Sequence, residues 1–259
     1  NRFGSLGANG VIMITTKNAV AGQGAGKTYD RARIKNNVFD GKLNIKGNTR
    51  INYIEELASA PNSEAAYTAY WQQRYKNNTE PSYYLDVYDF FRPRNAKTAK
   101  RIASNIMEQE QVGYEQLRGL FLKAEKYKDK ELQRLVTLKM LEEFPEKIQS
   151  YYDRALANLA SGEYQMAMDM FLSILDGSAN TDLKFDGLHK RVRTELKELI
   201  RKQRTNLDIS QVPTSHLEST AYEARLVFDW NDEDSEFDIQ FVNPQKRFFE
   251  WEHTNLANN

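Results

Sequence analysis

The chain contains no cysteine, so neither a disulfide framework nor a thiolate metal site is open to it. Histidine is scarce as well. The 3 present, His189, His216 and His253, stand far apart in unlike contexts, with no His-Glu-x-x-His pair and no Gly-x-Ser-x-Gly elbow, which speaks against metal or triad catalysis. No charge of one sign dominates, because 36 Lys+Arg balance 36 Asp+Glu. Nucleic acid is therefore not expected as a partner, since phosphate binding draws on a surplus of Lys and Arg to displace counterions. Long apolar runs are missing too. The longest aliphatic run, residues 11–14, is far shorter than a membrane-spanning helix or the apolar part of a signal peptide. The first residue is Asn1 rather than Met, so the chain reads as a piece of something longer in which an absent leader carries no meaning.

What is present is enough for one or two domains: 259 residues, of which 40% are hydrophobic, can bury a real core. The punctuation of the chain divides it into five stretches. Residues 1–18 end in a short apolar strand. Residues 19–62 are rich in Gly and Asn with short alternating apolar runs, read as a linker with small strands: Val38, Phe39, Leu43 and Ile45 flank an Asp40-Gly41 turn, and Ile51 and Tyr53 are expected to add a further strand. Residues 63–205 are helical in pattern, 206–221 form a linker, and 222–259 return to strands. The expected fold class is mainly α, with helical hairpins flanked by small β segments.

The helical pattern is clearest in Tyr152, Ala155, Leu156, Leu159 and Ala160, spaced as one apolar stripe and closed by Ser161-Gly162. Tyr164, Ala167, Met168, Phe171, Leu172 and Leu175 form a second stripe, so the two helices must pack antiparallel. An upstream hairpin pairs Leu117, Leu120, Phe121 and Ala124 with Leu132, Leu135, Val136 and Met140, ending at Phe144-Pro145. A further helix carries Leu188, Val192, Leu196, Leu199 and Ile200. Beyond Pro213, Leu226, Phe228 and Trp230 and then Phe237, Ile239 and Phe241 alternate with other residues as two strands around the turn at 231–236. Asn243-Pro244 stops the second, and Phe248, Phe249 and Trp251 point to a third.

Three resemblances follow this order. Residues 152–175, with Gly162, Glu163 and Tyr164 at the turn and Ala167 and Phe171 on the second helix, resemble a tetratricopeptide repeat, and the preceding hairpin does so more loosely through Pro145. The opening Gly4-Ser5-Leu6-Gly7-Ala8-Asn9-Gly10-Val11-Ile12-Met13-Ile14-Thr15-Thr16-Lys17 looks like the end of the plug domain of TonB-dependent outer-membrane receptors, especially the glycan-uptake type of Bacteroidota. The strand periodicity of a large membrane barrel does not follow it, so a plug-like module borrowed into another protein is expected. Residues 225–254, through Trp230, the acidic turn Asn231-Asp232-Glu233-Asp234, Phe237-Asp238-Ile239, Asn243-Pro244 and Trp251-Glu252-His253-Thr254, resemble the start of a YfaP-like β-domain. The usual Gly after the Asn-Pro turn is Lys246 or Arg247 here. Tyr83 to Phe91, 102–110 and 149–159 are also similar to the region preceding that domain in long bacterial envelope proteins.

Motifs with possible chemistry each have a plainer use. Ala21-Gly22-Gln23-Gly24-Ala25-Gly26-Lys27-Thr28 satisfies the loose phosphate-loop pattern, but residues 17–20 part it from the strand, 29–36 make a poor apolar helix, and no strand ending in a metal-binding Asp follows. It reads as a linker. Asp229, Asp232, Asp234 and Asp238 cluster around one turn and offer oxygens to calcium, yet EF-hand spacing and its Gly are missing, so a solvated acidic turn is preferred. The basic helix over 190–204 offers charge to RNA or anionic lipid, yet Glu195 and Glu198 interrupt it at spacings suited to pairs within the helix, so a solvated face is preferred. Tyr67, Tyr70, Trp71 and Tyr75 fall on one helical face and read as core first, as a glycan or partner platform second. No catalytic, cofactor-binding or metal residues are assigned.

The resemblances imply a non-catalytic scaffold or protein-binding subunit of a bacterial cell-envelope complex, periplasmic or associated with the outer membrane, with other envelope proteins as partners. Two alternatives stay open: an accessory region positioning a catalytic domain outside this stretch, and a component of a TonB-coupled uptake system.

Overall fold

The computed structural model describes residues 11–17, 35–38, 52–77, 82–110, 112–217, 225–229, 236–242 and 247–253. The chain divides into two compact units, residues 50–231 and residues 1–49 together with 232–259. The fold is mainly α.

The larger unit is a chain of helices: α1 Asn52–Ser59, α2 Ser63–Asn77, α3 Tyr83–Phe91, α4 Ala96–Met107, α5 Tyr114–Lys126, α6 Lys130–Glu143, α7 Ile148–Ser161, α8 Tyr164–Asp176 and α9 Asp186–Gln203. From α5 to α9 each helix packs on the next, and α3 also meets α5 as α7 meets α9. Local chemistry sets the ends. Asn95 and Asp129 cap α4 and α6 by accepting from the Thr98 and Leu132 N–H groups at 3.1 and 3.2 Å. Gly162 closes α7 at a φ of 85°, a conformation costly for any residue with a Cβ, and the N–H groups of Gly162 and Glu163 donate to the carbonyls of Leu159 and Asn158.

Two apolar cores run through this unit. One gathers Leu57, Tyr70, Tyr83, Tyr88, Phe91, Leu117 and Phe121 from α1 to α6, and the other gathers Tyr152, Phe171, Val192, Leu196 and Ile200 from α7 to α9. Leu156 touches both and joins them. Each fully buried Leu, Phe or Met side chain contributes about 1.5–3 kcal/mol against exposure, which offsets the entropy lost in ordering so many short helices.

The smaller unit holds a four-stranded antiparallel sheet in the order β1, β3, β4, β2, with β1 Val11–Lys17, β2 Lys35–Val38, β3 Glu236–Val242 and β4 Arg247–His253. In the backbone register Ile14 pairs with Ile239, and Ile239 with Trp251. Residues near the two ends of the sequence thus share one sheet.

Three expectations from the sequence are corrected. Tyr53 does not lie in a strand: Tyr53 and Leu57 are buried one helical turn apart on α1, and that spacing prevails over the two-residue alternation, while Ile51 lies outside the described residues. Leu226 and Phe228 lie in a stretch, 225–229, without regular structure; β3 finds its partners in β1 and β4 instead. Leu135, placed on the buried stripe, is 40% exposed, while Gln133 and Thr137 turn inward on α6. The Asp40-Gly41 turn, the phosphate-loop-like residues 21–28, the opening residues 4–10, and Asp232 and Asp234 lie outside the described residues.

Candidate functional site

Among the described residues of the helical unit, a concentration of charge joins α5, α7 and α9. Helical spacing puts the participants on facing sides: Arg118 and Glu125 are seven residues apart on α5, Gln149, Tyr152 and Asp153 fall within one turn of α7, and Arg191 and Glu195 are four apart on α9. The Arg118 Nε donates to Asp153 Oδ2 at 3.1 Å, and Gln149 donates to the other oxygen at 2.7 Å. The Tyr152 hydroxyl accepts from Arg191 Nε at 2.8 Å and donates to Glu195 at 3.1 Å, while the Arg191 guanidinium lies 4.5 Å from the centre of the Tyr152 ring.

Residues 225–229 complete this network. Arg191 Nη2 donates to both carboxylate oxygens of Asp229, at 2.7 and 2.8 Å, and Arg118 Nη2 reaches the same carboxylate at 3.4 Å. Four residues earlier, Arg225 donates to Glu195 at 2.7 Å. Charge-assisted bonds of this kind are the stronger class of hydrogen bond.

Burial and mutual repulsion set the acidities. Asp153, with a side chain 1% exposed, is pushed up to about 6 by burial, against the pull of Arg118. Glu125 is pushed up to about 7 by burial first, then by the neighbouring charges of Asp153 and Asp229. Burial and Glu195 raise Tyr152 well above a free phenol, and Arg191 is raised because Tyr152 and Asp229 outweigh the cost of its own burial. The arrangement is suited to receiving a carboxylate: two guanidiniums aim at one point from different helices, each already held from behind.

The candidates raised from residue types and spacing scatter. Asp229 is not a solvated turn residue but the carboxylate clasped by Arg118 and Arg191, and among the described residues no group of three His, Cys, Asp or Glu is placed to hold a metal ion. On α9, Glu198 does pair within the helix, with Arg201 at 2.7 Å and Lys202 at 2.9 Å, whereas Glu195 turns to Tyr152 and Arg225. The aromatic face of α2 divides: Tyr70 is fully buried, while Trp71 and Tyr75 are 43% and 81% exposed, with the Arg74 guanidinium 5.0 Å from the Trp71 ring. His189 lies 3.8 Å from Asp186, and burial with nearby Arg193 and Lys197 lowers the pKa of His216. A cavity of about 200 Å³ between Leu57, Ala66, Phe90 and Arg94 falls below the usual size of a small-molecule site. Among the described residues no helix is long and apolar enough to cross a membrane.

Arg118, Tyr152, Asp153 and Arg191 were not singled out by sequence reasoning as one site. The signal available was a charged residue next to core positions: Arg118 follows Leu117 on the buried side of α5, and Asp153 follows Tyr152 on α7. No family model, curated protein or solved structure matches the chain.

Proposed function

We propose that the chain is a non-catalytic scaffold or protein-binding subunit of a bacterial envelope complex associated with the outer membrane, built from tetratricopeptide-like hairpins between small β segments. The observation that carries the reading is that the face made by α5, α7 and α9 already holds a stretch of polypeptide, residues 225–229, through side-chain charges. Helices packed in sequence with alternate helices also in contact make an extended surface, and such surfaces bind partners by complementarity rather than chemistry. The resemblances of the two ends to a receptor plug and a YfaP-like domain support the envelope setting and protein partners there.

The test is photocrosslinking in a Bacteroidota host, with the probe at Leu138, Met166 or Arg193, exposed positions of α6, α8 and α9. Crosslinks to defined outer-membrane proteins, recovered with the envelope fraction, are expected. Recovery of the chain uncrosslinked in the soluble cytoplasmic fraction would overturn the reading.

A further inference from the structure

Residues 225–229 are attached in an unusual way. Leu226 and Val227 stay 54% and 47% exposed and Phe228 is half-buried, while the charged ends tie the stretch down, Arg225 on Glu195 and Asp229 on Arg118 and Arg191. Contacts of this type select a partner by charge order more than they hold it tightly. A tether in the same chain supplies a high effective concentration, so even a weak contact is occupied in cis.

The receiving side is built without the stretch. Arg118 is fixed by Asp153, which Gln149 holds in turn, and Arg191 is fixed by the Tyr152 hydroxyl and ring. Glu195 is oriented by the same hydroxyl. Take residues 225–229 away, and two guanidiniums still converge on one carboxylate position, with an acidic acceptor beside them. Such preorganisation lowers the cost of admitting another occupant. Resting on the scaffold reading above, we propose that this face is a docking site for a segment of a partner protein bearing a basic residue and, four positions later, an acidic one, and that residues 225–229 occupy it in cis until that segment displaces them.

Between the two charges Leu226 and Val227 are exposed and Phe228 is half-buried. The probe is a fluorescent peptide with the sequence of residues 221–231, followed by anisotropy on the full chain and on its Asp229→Asn and Arg225→Ala/Asp229→Asn variants, with folding checked by circular dichroism. Vacating the cis occupant should tighten peptide binding about tenfold or more, and the peptide carrying Asp229→Asn should lose a similar factor. Adding Arg191→Gln to the Asp229→Asn chain should abolish the gain, and raised salt should weaken what remains.

Equal binding to wild-type and vacated chains overturns the proposal, as does an unmodified affinity for the Asp229→Asn peptide. A wild-type dimer that dissociates on Asp229→Asn assigns the stretch to a second copy and likewise overturns it. The milder Asp229→Asn chain keeps the test valid should the double variant unfold. If the peptide fails while photocrosslinks from Leu138 or Met166 to outer-membrane proteins persist, the docking site falls and the scaffold reading stands; loss of the crosslinks sinks the latter.

Discussion

Tyr70 and Tyr152 are the same residue type at the same burial, both with no exposed surface, yet they organise two different regions of the helical unit. Tyr70 belongs to an aromatic cluster in which Tyr83 packs on Tyr53, Tyr70 and Tyr84 with ring centres 5.0, 6.2 and 5.1 Å apart. Its hydroxyl accepts from the neutral Asn105 amide at 2.8 Å. Tyr152 packs on Phe171, but its hydroxyl sits between the charged Arg191 and Glu195. A neutral amide ends its network locally. Charged partners keep donors and acceptors to spare, and those of Arg191 and Glu195 reach across to Asp229 and Arg225. The difference teaches that burial makes a tyrosine structural, while its hydrogen-bond partners decide whether the region stays open to another stretch of chain.

The largest expected effects separate the two regions by pH rather than by size. Phe121→Ala removes a ring from the first core and should cost about 3–5 kcal/mol in urea unfolding at any pH between 5 and 8. Arg118→Met should cost about 3–5 kcal/mol at pH 8, because Asp153 is left charged, buried and without its guanidinium. At pH 5 Asp153 takes up a proton, and most of that cost should disappear. If both variants behave alike across this range, the charged region is no different in kind from the core.

Glu125 sharpens the same contrast with a smaller effect. Its pKa rises from 4.5 to about 7 on folding, so between these values the folded chain binds more protons than the unfolded one. Stability from this group is present below pH 4.5 and is lost as pH climbs through 7. Glu125→Gln removes the loss. The variant should gain about 1–3 kcal/mol over the wild type on going from pH 5 to pH 8 in paired urea titrations, discounted from the full shift because the group is not fully enclosed. Glu198, lowered to about 2 by Arg201 and Lys202, acts in the opposite sense below pH 4.5 and so does not mask the change.

How much was legible in advance follows from the range of each interaction. The apolar stripes of α5, α7, α8 and α9 are read from neighbours three and four residues apart, and Gly162 announces its left-handed turn by its type alone. Leu135 misled because a helix packed on two sides, as α6 is between α5 and α7, buries polar residues such as Gln133 and Thr137 off the main stripe. Tyr53 misled because alternation over three residues cannot compete with a turn that also buries Leu57. The site itself was out of reach: Arg118 meets Asp153 across 35 residues of sequence and Asp229 across 111, and no local period encodes such pairings. Residue types raised Asp229 as a ligand, but its true partners are guanidiniums that sequence placed on separate helices.

The smallest expected effect comes from the two hydroxyls themselves. Tyr70→Phe leaves the part-buried Asn105 amide without this acceptor and should cost about 1 kcal/mol, with no change in how residues 225–229 are held. Tyr152→Phe deletes the link between Arg191 and Glu195, but these lie four apart on α9 and can pair with each other, so the stability cost should be no larger, about 0.5–1 kcal/mol. Its distinctive consequence is local. With the Arg191 Nε no longer fixed, the guanidinium loses its orientation toward Asp229, and amide hydrogen exchange over residues 225–229 should speed up several-fold in Tyr152→Phe while remaining unchanged in Tyr70→Phe. Equal exchange in the two variants would mean that Asp229 is held by charge alone, whatever the hydroxyl behind Arg191 does, and would remove the distinction between the two tyrosines at its source.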